Sequence, residues 1–194
     1  MEKKSKGSAV AKSIVLVLLG AVVILGLYLM LTRNKRSVQT EESYELTAVD
    51  EITTTNLDKN YPANPRKVVE LYAHTMQVLY RETYNDTQED AMISVLRGIM
   101  DDELLANNNR FEQSVKDEVT ERRAGDYSIS NFVVQTKEPE EVTVDGRRMC
   151  NVDCLFSLRQ STKGTTANYY QFILRKDSET GQWKILGWTL KEDD

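Results

Sequence analysis

Few side chains in this 194-residue chain could do chemistry, and their spacing narrows what they can do. The two cysteines, Cys150 and Cys154, lie four apart in "MCNVDC". On a helix such a pair could share a metal or form a redox couple. On a strand the two sit on one face about 13 Å apart, at roughly 3.3 Å per residue. A disulfide needs Cα atoms within about 7 Å, so neither a mutual disulfide nor a shared metal fits a strand. Periodicity decides between the two. Cys150, Val152, Cys154, Phe156 and Leu158 alternate with Asn151, Asp153, Leu155, Ser157 and Arg159. That pattern is a strand with one buried face. The cysteines then read as small core residues, since free cysteine is among the most buried types. An intermolecular disulfide stays open if the domain is extracytoplasmic.

His74 is the sole histidine. Its helical neighbours Lys67, Glu70, Gln77 and Arg81 place it on a polar face, where a solvated side chain is expected. One histidine without a usable cysteine pair makes a zinc site improbable. No strained serine turn, phosphate loop or dinucleotide fingerprint is present. The carboxylate groupings Glu89-Asp90, Asp101-Asp102-Glu103, Glu140-Glu141 and Asp193-Asp194 fall at helix starts, turns or the tail. Acids in a first helical turn complement the helix dipole without any chemistry. "NDT" at 85–87 matches a glycosylation acceptor by three residues alone. No catalytic, cofactor-binding or metal-binding residue is therefore assigned, and no cofactor is expected. The aromatic residues are better placed. Tyr72, Tyr80, Tyr169, Tyr170, Trp183 and Trp188 fall where helices would meet a sheet. From this set and its neighbours, Tyr72, Met76, Tyr170, Phe172, Trp183 and Trp188 are the expected lining of an apolar pocket.

The elements that would position these residues form two blocks. Asn64 can cap a helix whose first turn holds Pro65. Val68, Leu71, Tyr72, Thr75, Met76 and Leu79 then recur at three-four spacing. A second helix is expected from Thr87, with Met92, Val95, Leu96 and Ile99 on one side. "DDELLANNN" reads as a short helical turn ended by asparagines. Arg110 to Ala124 carries Phe111, Val115 and Val119 as a stripe, closed by Gly125. After Gly125 the period changes to two. "YSISNFVVQ", the strand holding the cysteines, "TTANYYQFILRK" and "QWKILGWTL" give about four antiparallel strands, with a tight turn at Asp145-Gly146.

The N-terminal end is of another kind. Ile14 to Leu31 is an uncharged run of 18 residues, which as a helix would be ~27 Å long and span a bilayer core. It has no polar stripe and ends in "LYLMLTRNKR", without the small residues of a cleavage site. Seven of the basic residues and one acid lie in residues 1–36, which leaves 18 basic and 29 acidic side chains, a net of −11, in the rest. An acidic domain repels nucleic acid. The lysine and arginine bias favours a cytoplasmic N-terminus and an external domain. The expected organisation is a basic tail at 1–13, a transmembrane helix at 14–31 and a polar acidic spacer at 32–60. An α+β domain at 61–190 and an acidic tail at 191–194 follow.

Helices with the longest first, then antiparallel strands ending in "QWKILGWTL", resemble the nuclear-transport-factor-2-like superfamily from Tyr61 to Leu190. "NYPANPRKVVELY", "DDELLANN" and "LRKDSETGQWKILGW" also resemble a group of uncharacterised single-pass proteins of anaerobic Gram-positive bacteria. The first resemblance implies helices packed on a curved sheet, a cone with an apolar interior. It implies no single activity, because the superfamily holds enzymes, ligand binders and assembly subunits. Its enzymes often use a His/Asp pair or paired acids inside the cone, and His74 is expected to point outward, so no catalytic residue is carried over. Membrane-anchored relatives include a bitopic assembly subunit of type IV secretion machines, similar to this chain in layout and not in any residue motif. Three functions follow as expectations. The first is a non-catalytic interaction or assembly module outside a bacterial cytoplasmic membrane, with a protein partner in the membrane or envelope. The second is a cone that binds a small ligand or performs acid-base chemistry on it. The third is an inverted anchor carrying a cytoplasmic regulatory domain.

Overall fold

The structure, a computed structural model, describes residues 46–161 and 163–191. The sequence-predicted tail at 1–13, membrane helix at 14–31 and acidic end at 192–194 lie outside them, as does residue 162. No helix among the described residues is long and apolar enough to cross a membrane.

The fold is α+β: among the described residues, five helices are followed by one antiparallel sheet of five strands. The compact unit starts at Leu46, earlier than the sequence suggests. Part of the expected spacer is α1, Ala48–Thr53. Thr47 caps it, accepting from the Asp50 N–H at 3.1 Å while the Asp50 carboxylate accepts from the Thr47 N–H. Val49 and Ile52, three apart on one face, are buried, and α1 packs on the second long helix. Two apolar residues in a polar stretch are too few to announce a helix by periodicity. Tertiary burial supplies what the short segment lacks.

The first long helix is α2, Pro65–Arg81. Asn64 accepts from the Lys67 N–H at 2.9 Å, and the proline occupies a position whose N–H needs no partner. The expected stripe is buried at Val68, Tyr72, Thr75, Met76 and Leu79, while Leu71 is half-buried. The Thr75 hydroxyl donates back to the Leu71 carbonyl. Next comes α3, Asp86–Gly98, opened by a capping box between Asn85 and Gln88. The six-residue α4, Asp102–Asn107, and α5, Phe111–Ala124, complete the helices, the latter burying Phe111, Val115 and Val119.

The strands are β1, Tyr127–Val134; β2, Glu141–Val144; β3, Arg147–Gln160; β4, Gly164–Lys176; and β5, Trp183–Leu190. Five strands replace the expected four, because the segment before Asp145-Gly146 is itself a strand. Both turn residues have left-handed backbones, φ 50° and 77°, which a two-residue hairpin requires. The sheet order is β1-β3-β4-β5, with β2 pairing the far end of β3. Bulges between Ile129 and Asn131 on β1, and at Ile173/Leu174 where β4 meets β5, bend and twist the ladder. One face packs on α2. Cys150, Val152, Cys154 and Phe156 are buried on it, as the alternation predicts. Both cysteines are free thiols.

β5 is an edge strand whose first half is covered. The Ile185 N–H donates to the Ile99 carbonyl and the Asp101 N–H donates to the Ile185 carbonyl, each at 2.9 Å. Ile99–Asp101 thus forms a short parallel addition to the sheet. Asp101 is 5 % exposed and receives two hydrogen bonds from Arg175 on β4, through Nε at 2.9 Å and through Nη2. It also caps α4 by accepting from the Glu103 N–H.

Candidate functional site

Between α2, α5 and the inner face of the sheet lies a cavity of about 100 Å³. Helical spacing brings Tyr72, Met76 and Tyr80 to it from α2, and Glu118 and Arg122 from α5. Strand alternation brings Ile129 from β1, Phe156 and Leu158 from β3, Asn168, Tyr170 and Phe172 from β4, and Trp188 from β5. Five of the six expected lining residues therefore meet: Tyr72, Met76, Tyr170, Phe172 and Trp188.

Trp183 does not join them. It is buried some five residues earlier on β5, roughly 16 Å along the strand. There its carbonyl accepts from the Tyr61 hydroxyl at 2.7 Å, and the Lys176 ammonium lies 5.7 Å over its ring. A tryptophan pair within one strand reads alike in sequence, but only the later one reaches the cavity.

The wall is a connected aromatic cluster. Tyr72 sits 5.1 Å from Phe172 and 5.4 Å from Trp188, ring centre to ring centre, and Phe156 meets Tyr170 edge-on at 5.7 Å. Such contacts add to the area they bury. Polar groups lie at one side. The Tyr80 hydroxyl donates to Glu118 Oε1 at 2.6 Å. Burial raises the Tyr80 hydroxyl's pKa, and the Glu118 carboxylate that accepts its proton raises it further. Burial also holds the Tyr72 hydroxyl protonated far above the usual phenol range. Tyr72 is only 9 % exposed, yet its hydroxyl makes no hydrogen bond to any described residue. That hydroxyl keeps contact with solvent through the cavity, since no buried side-chain nitrogen or oxygen among the described residues lacks a hydrogen-bond partner. The expected lining held four of the cavity's aromatic residues but missed Tyr80 and Phe156, and it missed Glu118, Arg122 and Asn168, which carry no signal apart from their position on a helix or strand.

The volume limits what this site can do. Pockets for drug-sized ligands run to roughly 300–1,000 Å³, and a dry engineered cavity of about 150 Å³ holds a benzene. Room for about three waters suits one small group, not a whole substrate.

The remaining sequence candidates are dispersed. His74 is half-buried rather than solvated, tilted against Phe132 at 6.4 Å, because β1 passes over that side of α2. Burial pushes the Cys150 and Cys154 thiols up to about 12. Among the described residues no group of three or more His, Cys, Asp or Glu side chains could hold a metal ion. An open groove of about 720 Å³ beside α4 gathers Arg147, Arg148, Arg175, Lys176 and Lys184. Its basic side chains face Asp101, Asp102, Glu103 and Asp177. Arg175 is tied to Asp101 and Glu103, and Arg148 to Glu141, so much of this charge is internally paired.

The family model described as a domain of unknown function, DUF6715, matches residues 1–188. The chain belongs to the DUF6715 family. No curated protein matches it. A solved structure that does match is the intermembrane space region of the chloroplast protein ARC6, at 12 % identity and a TM-score of 0.38. The match covers 66 % of this DUF6715 chain and 94 % of that one, a likeness too distant to define fold or function.

Proposed function

We propose that this chain is a single-pass membrane protein whose α+β domain is a non-catalytic protein-interaction or assembly module. In this reading residues 14–31 cross a bacterial cytoplasmic membrane. The N-terminus is cytoplasmic, and a nuclear-transport-factor-2-like cone faces outward. The carrying observation is how full the inner face is. The aromatic cluster leaves about 100 Å³, too little for a substrate, while Trp188 and Leu190 stay 37 % and 56 % exposed at the rim. Exposed aromatic and aliphatic side chains beside a filled core are what protein interfaces use as anchors. The 18-residue uncharged run and its basic flanks support the anchor. Helices on one sheet face and bulges in the ladder support the cone.

The test has two arms. A C-terminal tag on the full chain is expected to be digested when protease is added to intact protoplasts. A photo-crosslinking residue placed in turn at Leu190 and at Val144, in native membranes, is expected to trap a stoichiometric envelope or membrane protein. A protected tag would reverse the orientation. A turnover by the purified chain that disappears in Glu118→Gln would overturn the non-catalytic reading.

A further inference from the structure

Two opposite charges stand at the mouth of the cavity without satisfying each other. Glu118 and Arg122 lie four residues apart on α5, and both are exposed while lining the cavity. An acid four residues before a base is the favoured order for an ion pair along a helix. Here no such pair forms. Glu118 accepts the Tyr80 hydroxyl on Oε1, and no other described group bonds to its carboxylate. The Arg122 guanidinium rests 5.6 Å over the Tyr127 ring, and its donors make no hydrogen bond to any described residue. Other charges on the helices behave differently: Arg66 and Lys67 close on Glu70, and Lys116 on Asp90. One open carboxylate oxygen and one open guanidinium therefore flank the same entrance.

The interior decides what passes between them. Met76, Phe156 and Phe172 are buried and apolar. The rings pack on one another, Phe156 against Tyr170 at 84° and Tyr72 against Phe172 at 63°, so neighbouring edges already occupy ring faces. A cation at that depth would lose its water with the carboxylate held back at the mouth. The space of about 100 Å³ is smaller than the ~150 Å³ that holds a benzene. A small aliphatic group fits it and an aromatic one does not.

We propose that the cavity binds a free α-amino acid with a branched aliphatic side chain of about valine size. Such a molecule carries a cation, an anion and a small hydrocarbon branch on one carbon. Its carboxylate bonds to the Arg122 guanidinium, and its ammonium donates to the open oxygen of Glu118. Its side chain enters the space between Met76, Phe156 and Phe172. Only that side chain is desolvated, because both charges stay at the wet mouth. The site binds without turnover. It goes beyond the interaction-module reading by giving the domain a ligand, and it needs neither the anchor nor a partner.

The probe is L-valine, titrated into the detergent-solubilised full chain with calorimetry and tryptophan emission as readouts. N-Acetylvaline lacks the ammonium and valinamide lacks the carboxylate. Each is expected to bind at least tenfold more weakly than valine, as are phenylalanine and glycine betaine. Arg122→Gln should weaken valine at least tenfold and leave valinamide unchanged. Glu118→Gln should weaken valine similarly and leave N-acetylvaline unchanged, while keeping an acceptor for Tyr80. Both side chains are exposed, so the urea midpoints of these variants should stay at the wild-type value. Leu158→Trp, which fills the cavity, should abolish the preference for valine over glycine. No binding of L-valine up to about 10 mM would overturn the proposal. Equal binding of N-acetylvaline or valinamide would also overturn it and point to a peptide terminus instead. Tighter binding of phenylalanine or of glycine betaine would overturn it in favour of a larger site or an aromatic cage. Crosslinking at Leu190 and Val144 reads the module separately, so failure here leaves that reading standing.

Discussion

Replacing Arg175 by methionine should be among the most damaging single changes in the domain. The Arg175 and Asp101 side chains are 12 % and 8 % exposed, so the pair is essentially out of water. Methionine preserves much of the apolar stem and removes the guanidinium. Asp101 is then a buried carboxylate whose described hydrogen-bond donor is the Glu103 N–H. Removing one partner of a buried pair costs about 3–5 kcal/mol. The Glu103 contact adds little, because that carboxylate is 57 % exposed and its exposed ion pair contributes about 0–1 kcal/mol. With a urea m-value of about 2 kcal/mol/M for a domain of this size, the midpoint should fall by roughly 1.5–2.5 M. Urea unfolding of the full chain, followed by tryptophan emission, reads this directly because both tryptophans lie on β5. Hydrogen exchange should quicken first at Ile185 and Asp101, whose amides join the covering segment to the edge. Asp101→Asn keeps a capping oxygen, so the double variant should lose less than the sum of the singles, with a coupling of about 1.5 kcal/mol or more. A midpoint change under about 0.5 M would refute the reasoning, since water would then be reaching the abandoned carboxylate at little cost.

Three other expectations are simpler. Asn64→Ala should cost about 1 kcal/mol through loss of the α2 cap, measured by the same unfolding curves. Phe172→Ala, at the centre of the ring cluster and 1 % exposed, should cost about 3–5 kcal/mol. It should also enlarge the cavity enough to admit benzene, detectable as a ligand-dependent rise in the unfolding midpoint. The cysteines should resist alkylation at pH 8 until the chain unfolds, because their thiols titrate near 12 when folded. A folded pKa above the unfolded one of about 8.5 gives stability that is complete below pH 8 and is lost as pH rises through 12, so the urea midpoint should decline from about pH 9 upward. Replacing both cysteines by valine should reduce that decline.

Local pattern was enough for most elements. The three-four spacing of α2, its Asn64 cap, the change of period after Gly125 and the Asp145-Gly146 hairpin are all short-range signals, and each appears where the residues indicate. The cysteine question was answered the same way, since alternation over ten residues distinguishes strand from helix. Signals that need a partner far along the chain were not legible. α1 is a helix because Val49 and Ile52 find a core to enter. Arg175 looks like an ordinary strand residue until Asp101, 74 positions earlier, is brought against it. Trp183 and Trp188 look equivalent until the strand's length separates them.

The sequence by itself determined the type and the buried face of each long element, the alternating cysteines and the uncharged run at 14–31. These depend on composition and period within a few residues. Tertiary structure alone decided the size of the cavity, the pairing of Glu118 with Tyr80 and the uncovered half of β5. Each depends on how closely separate elements approach, and close packing converts sub-ångström differences in approach into a filled core or an open site.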